Sequence, residues 1–344
     1  MQTIRTTLVE NFGGMAQNLA TGDERFSLDE VPDLSGKVAV ITGGSEGIGF
    51  GCTHTLLKHN IAKIFCISLR QEIADEATKA IDEEMGAGSA KKFVWLQCDL
   101  ANWPQVVETA NAILEQTDRI DILINNAARG IMTHQLAPLS GIDLHMAQNH
   151  MGHVVLTSHL LPLIKKTSEA HGTVRIVNLG SNAHQNAPSD VKFESVEELN
   201  KDLGPNGQYG RSKLAAILYS RYLAKHLTAA HPKILVNATH PGIVETAQSS
   251  VHIHEPYPLM GYGMSVFLKP FKKTQFEGCV STMYAATVCQ DSGLYICPPK
   301  IVENGSEMSN DMEMAERLMK LTREVVSDKT RKQSVEKGCP FKDY

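Results

Sequence analysis

At 344 residues, with 42% hydrophobic and 21% charged side chains, the chain has the make-up of an ordinary globular protein. It is long enough for one large α/β domain or two smaller ones. A net charge of −5, without a run of five lysines or arginines, argues against nucleic acid as the main partner. The cysteines Cys52, Cys66, Cys98, Cys279, Cys289, Cys297 and Cys339 are odd in number and lack Cys-x-x-Cys spacing, so they read as reduced thiols of a cytoplasmic protein.

Residues 1–34 form an N-terminal arm. It carries Glu10, Asp23, Glu24, Asp29 and Glu30 and no apolar block of signal-peptide length, so neither a secretory leader nor a transit peptide is expected. From Lys37 onward, strand-like apolar runs fall at 38–42, 63–69, 93–96, 120–125, 173–179, 234–238 and, less distinctly, 294–296. Helical segments are expected at 50–59, 73–85, 103–116, 144–165, 212–228 and 276–288. Alternating short strands and helices predict an α/β doubly wound parallel sheet of seven strands, in one domain over 35–296. No run of 18 apolar residues occurs, so no transmembrane segment is expected. The stretch 256–271, with Leu259, Met260, Tyr262, Met264, Val266, Phe267 and Leu268 broken by glycines, reads as part of a mobile lid over an apolar pocket, at about 245–275. The tail, 297–344, includes a charged segment at 312–328 expected to be a helix with a solvated face.

The first strand runs into Thr42-Gly43-Gly44-Ser45-Glu46-Gly47-Ile48-Gly49, and a helix follows. That context makes a glycine pattern a dinucleotide cradle: Gly43 permits the tight turn, Gly47 a close approach to pyrophosphate, Gly49 packing of the helix on the sheet. It is not a phosphate loop of the Gly-Lys-Ser/Thr type. Downstream, Tyr209 and Lys213 lie four apart at the start of an expected helix and so share a face. Ser181 follows the fifth strand, at the sheet edge where such folds bind ligands, and Asn149 sits in the preceding helix. His145, His150, His153 and His159 have no matching carboxylate or cysteine spacing, so packed or solvated histidines are expected and no metal.

On these residues the chain resembles the short-chain dehydrogenase/reductase family, with its Rossmann-type fold. The glycine turn, Asp99 in Cys98-Asp99-Leu100, Asn125-Asn126-Ala127-Ala128, Asn149, Ser181, Tyr209 with Lys213, and Pro241-Gly242-Ile243-Val244-Glu245-Thr246 occur in the family's order. Asn149-His150-Met151-Gly152-His153 and the segment 176–181 are most similar to the retinol-dehydrogenase-like branch and its fungal relatives. The resemblance implies hydride transfer, with Tyr209 as general acid or base and Lys213 lowering its pKa while bonding the nicotinamide ribose. Ser181 would hold the substrate oxygen, and Asn149 would position a water that returns protons to Lys213. Around the cofactor the resemblance places Thr42, Gly43, Ser45, Gly47, Ile48 and Gly49 from the first turn. It adds Asp99, Leu100, Asn125, Asn126 and Ala127, and later Pro241, Gly242, Val244 and Thr246.

Two features depart from the family pattern: Gly180 stands where many members have a second serine, and 28 residues separate Ser181 from Tyr209. The insert 182–208 is expected to be a polar loop beside the mouth of the site. The second strand ends Ser68-Leu69-Arg70 with no acid before Glu72, which favours NADP(H) over NAD(H), although Glu46 brings negative charge nearby. A small-molecule substrate is expected, an apolar ketone or aldehyde or the matching alcohol, in secondary metabolism. The rival readings are a cofactor-binding sensor without turnover and a dehydratase or isomerase. The resemblance also implies a homo-oligomer built on the helices at 144–165 and 212–228.

Overall fold

The computed structural model describes residues 25–244 and 274–326. Among them a single sheet runs in the order β3-β2-β1-β4-β5-β6-β7-β8. The strands are β1 Val38–Thr42, β2 Lys63–Ser68, β3 Phe93–Gln97, β4 Ile122–Asn125, β5 Val174–Leu179, β6 Ile234–Thr239, β7 Tyr295–Cys297 and β8 Ile301–Glu303. All pairs are parallel except β7 with β8. The sheet thus has eight strands rather than the seven expected, because β8 is a three-residue edge return too short to show a period of two.

Residues alternate between two cores along each strand. Val38 and Val40 enter one with Leu123 and Ile176, whereas Ala39 and Ile41 enter the other with Ile122, Ile124 and Val177. The helices α1 Gly47–Lys58, α2 Gln71–Met85 and α6 Gln275–Thr287 close the second core. The first is closed by α3 Trp103–Leu114, α4 Gly152–His171, α5 Gly204–Leu223 and α7 Met312–Val326. From β1 the chain moves outward to β2 and β3, then returns past β1 to β4. The carboxyl ends of β1 and β4 therefore flank the switch point where a crevice opens.

Three expectations are corrected by packing. Helix α5 begins at Gly204, with Pro205 in its first turn, so Tyr209 and Lys213 lie inside the helix rather than at its start. The insert 182–208 is an anchored block, not an open loop. Phe193 is buried, and the Glu198 carboxylate accepts hydrogen bonds from the backbone N–H groups of Lys192, Phe193 and Glu194. The charged tail segment is amphipathic: α7 buries Met314, Ala315, Leu318, Met319 and Leu321 against α5 and leaves its charges outside. That packing covers part of α5, one of the two helices the family resemblance assigns to oligomer contacts. In the N-terminal arm, Phe26, Val31 and Leu34 pack into the second core, with the Phe26 ring 5.3 Å from that of Tyr284. The six described cysteines are free and buried. The expected lid falls almost wholly on 245–273, which with Thr246 and Cys339 lies outside the described residues.

Candidate active site

The turn after β1 is built by glycines that nothing else could replace. Gly43 has φ +64 and Gly47 φ +54, in the left-handed region that disfavours side chains. A Cβ on Gly49 would collide with the Gly43 carbonyl, so α1 can start at Gly47 directly beneath the turn. The Thr42 hydroxyl accepts hydrogen bonds from Asn126 N (2.9 Å) and Ala127 N (3.0 Å), and Asn126 Nδ2 donates to Thr42 O (2.9 Å). The ends of β1 and β4 are thereby stitched together at the floor of the crevice.

That floor opens into a cleft of about 640 Å³. Of the expected cofactor residues it is lined by Gly43, Gly47, Ile48, Ser68, Arg70, Asp99, Leu100, Asn126, Ala127 and Pro241, and it runs on to Tyr209 and Lys213. Thr42, Ser45 and Gly49 support this lining from behind. Asn125 points elsewhere: it is buried, and its amide donates to Asn178 Oδ1 (2.8 Å) and Thr157 Oγ1 (3.2 Å) between β4, β5 and α4. Gly242 makes the turn after Pro241 with φ +81, and Val244 packs on Gly278 of α6. Gln148 and Gln275 also line the cleft, and sequence reading missed both because a lone glutamine carries no pattern.

At the β2 end of the cleft, Ser68 Oγ accepts from Ser45 Oγ (3.0 Å) and from Trp95 Nε1 (2.8 Å). Arg70 Nη2 lies 3.0 Å from both carboxylate oxygens of Glu46, across the rim of the cleft. One oxygen of Asp99 accepts from Ala101 N (2.9 Å), which fixes the loop after β3.

At the other end, α5 presents Tyr209, which is half-buried and hydrogen-bonded to Ser181, just past the end of β5. Burial pushes its phenol up to about 12, while a hydrogen bond with Ser181 pulls the other way. Lys213 donates to Leu179 O (2.9 Å), and burial pushes its ammonium down to about 8. Its Nζ lies 5.5 Å from the centre of the Tyr209 ring. The expected lowering of the tyrosine is thus not the dominant effect. The ammonium faces the ring, and both groups have lost water, which favours their neutral forms.

Asn149 occupies a π-helical turn, Ala147–Met151, that leads into α4. Such turns recur at functional sites. Its side chain is anchored: Oδ1 accepts from Arg129 N (2.6 Å), and Nδ2 donates to Arg129 O (3.0 Å) and Ser212 Oγ (2.9 Å). Its main-chain carbonyl is a further acceptor. Asp143 caps the start of this segment through Met146 N and pairs with buried Arg211 at 3.3 Å, tying it to α5. Gly152 has only Leu100 O where a Cβ would be, so α4 closes against the cofactor-side loop. Among the described residues no cluster of potential metal ligands occurs, and no helix is long and apolar enough to cross a membrane.

Comparison with known proteins agrees with this geometry. The profile of the family described as short chain dehydrogenase matches residues 37–255. A Neurospora crassa protein named as the mitochondrial oxidoreductase bli-4 is 53% identical, over all of this chain and 84% of its own length. Human retinol dehydrogenase 14 is 30% identical over 76% of this chain and 77% of its own. Among solved structures, one of a Mycobacterium paratuberculosis protein superposes with a TM-score of 0.67 at 22% identity, covering 88% of this chain and 97% of that one, which shows the shared fold.

Proposed function

The chain is an oxidoreductase of the short-chain dehydrogenase family, similar to its retinol-dehydrogenase-like members, and on that premise we propose that it reduces an apolar ketone or aldehyde with NADP(H), Tyr209 giving the proton. The observation that carries this reading is that Tyr209, hydrogen-bonded to Ser181, and Lys213 line the same cleft as the glycine turn. The glycine cradle fits a dinucleotide, since Gly43 and Gly47, both at positive φ, line the cleft without side chains and leave it open to a pyrophosphate. When bound there, the nicotinamide supplies the hydride that reaches the carbonyl carbon.

The residues do the rest. Ser181 holds the substrate oxygen by a hydrogen bond that strengthens as charge develops on it. Tyr209 donates its phenolic proton to that oxygen, and its high pKa keeps the acid loaded at neutral pH. Lys213, with one proton committed to Leu179 O, carries positive charge beside the phenolate that is left and bonds the ribose. Lys213 then gives a proton back to the Tyr209 phenolate, and a water on the Asn149 carbonyl replaces the proton Lys213 has lost.

Ser68 supports NADP(H). Its Oγ already accepts two hydrogen bonds, so what it has left for a ligand oxygen is its own proton, as a 2′-phosphate requires. Arg70 is the matching cation, and its surface pair with Glu46 is weak enough to be exchanged for a phosphate. The apolar residues Leu259, Met260, Met264, Val266 and Phe267, outside the described residues, favour an apolar carbonyl over a charged metabolite. Buried free thiols suit a reducing compartment, the cytoplasm or, as for the Neurospora relative, the mitochondrion.

The test is NADPH oxidation with a panel of apolar ketones and aldehydes, for the wild type and Tyr209→Phe. Turnover that falls by about 10²- to 10⁴-fold in the variant, with NADPH affinity retained, is expected. A fully active Tyr209→Phe would overturn the assignment. Tight NADPH binding without turnover on any panel member would favour a sensor instead.

A further inference from the structure

One histidine of the four that sequence reading treats as packing or solvated residues has hydrogen bonds that determine its state. His153, buried in the first turn of α4, has Nε2 2.8 Å from Thr42 Oγ1 and Nδ1 3.0 Å from the main-chain oxygen of Asn149. A hydroxyl has two acceptor positions and one proton. Thr42 Oγ1 has filled both acceptor positions with Asn126 N and Ala127 N, so its proton goes to His153 Nε2. Nε2 is therefore an acceptor, and the ring's single proton sits on Nδ1, donated to Asn149 O. Complete burial, which pushes the imidazole down to about 4, agrees with a neutral ring.

This ring joins the two halves of the site. On one side stands the hydroxyl that holds the backbone after β4 at the floor of the cofactor cleft. On the other stands the carbonyl of a residue whose side chain is already tied to Arg129 and to Ser212, the neighbour of Lys213. His153 Nδ1 takes one of the two acceptor positions of the Asn149 oxygen.

We propose that His153 is a positioning residue for hydride transfer: as the Nδ1–H tautomer it bridges Thr42 and the Asn149 carbonyl and holds that carbonyl where its remaining lone pair serves the water that reprotonates Lys213. The proposal rests on the oxidoreductase reading above, and its first readout does not depend on turnover.

The experiment uses the full chain with histidines labelled in ¹⁵N. His153 Nδ1 should be protonated and Nε2 unprotonated at neutral pH, with or without NADPH; a proton on Nε2 overturns the proposal whatever the activity. In parallel, His153→Phe keeps ring volume and removes both bonds, whereas His153→Asn leaves an amide near the position of Nδ1. His153→Phe should lower kcat for the ketone panel by about 10- to 100-fold while KM and the NADPH Kd move less than about threefold. His153→Asn should recover part of that loss. Unchanged kcat in His153→Phe, or equal losses of kcat and melting temperature in both variants, would mark a packing role and refute the bridge. If His153→Phe does not fold, the tautomer and the kcat of His153→Asn decide. An active Tyr209→Phe would defeat the oxidoreductase reading and leave the tautomer result standing.

Discussion

Replacing Arg70 by alanine tests the cofactor preference where it is softest. Arg70 Nη2 is shared by both oxygens of Glu46 at 3.0 Å, with both side chains about half exposed, so the pair contributes about 0–1 kcal/mol. A 2′-phosphate in its place would accept charge-assisted hydrogen bonds worth about 1.5–3 kcal/mol. The difference leaves roughly 0.5–3 kcal/mol for the phosphate, or about 2- to 150-fold in Kd. Quenching of intrinsic fluorescence on titration with NADPH and NADH reads it directly. Arg70→Ala should weaken NADPH by that factor and change NADH less than about twofold, because only NADPH carries the phosphate. Glu46→Gln should act in the opposite sense, strengthening NADPH by up to about fivefold as the competing carboxylate is removed. If Arg70→Ala weakened both cofactors alike, Arg70 would shape the rim without reading the phosphate. If it weakened neither, the preference for NADP(H) would fall.

Two predictions concern stability. His150 and His153 are buried with folded pKa values of about 3 and 4, below the 6.5 of a free histidine. The unfolded chain therefore binds protons that the native state refuses. Their stabilisation is complete above about pH 6.5 and is lost as pH falls toward 4, roughly 3 kcal/mol for the pair by pH 5.5. Urea unfolding at the two ends of that range should show the drop, and equal midpoints would contradict it. Leu318 of α7 is fully buried against α5, so Leu318→Ala should destabilise by about 2–5 kcal/mol in the same assay. Truncation before Met312 would bare the face of α5 that α7 covers. Size-exclusion chromatography with light scattering should then show association the full chain lacks; a full chain already dimeric through α5 would refute that covering role.

The parts of this fold that are legible in the sequence are those where backbone chemistry leaves no choice. Gly43 and Gly47 adopt positive φ, Gly49 has no room for a Cβ, and four apolar residues in a row at β1, Val38 to Ile41, fit a strand buried on both faces. Helical spacing puts Tyr209 and Lys213 on one face, and their place after Ser181 and the glycine turn singles the pair out. Elsewhere the signal depends on partners far along the chain. The apolar stripe of α7 is made of methionines and leucines set among six charged residues, and only α5, about a hundred residues earlier, shows which face is inside. Glu198 looks like a surface acid, yet it folds the insert through three backbone N–H groups. Asn125 and Asn126 are adjacent and chemically identical, but the pleat sends one into the core and leaves the other over the glycine turn. His153 could not be read at all without Thr42, since its state follows from what that hydroxyl has already bonded.

The titration states of Tyr209 and Lys213 together set a direction. With a phenol at about 12, only about one molecule in 10⁵ is a phenolate at pH 7, so alcohol oxidation from the resting state bears a penalty of about 7 kcal/mol. Reduction needs the protonated phenol, which is the form burial enforces, and the ammonium of Lys213, which persists to about pH 8. The kcat/KM for ketone reduction should therefore be flat through neutral pH and fall above about 8 as Lys213 loses its proton. That for alcohol oxidation should instead rise about tenfold per unit up to about pH 8 and then level, because the gain in phenolate is offset by loss of the ammonium. Initial rates in both directions, on one ketone and its alcohol, separate these shapes. A pH-independent oxidation limb between about pH 6 and 8 would mean that Tyr209 is already ionised there. Lys213 would then outweigh burial once the site is loaded, and the chain would be poised for oxidation as readily as for reduction.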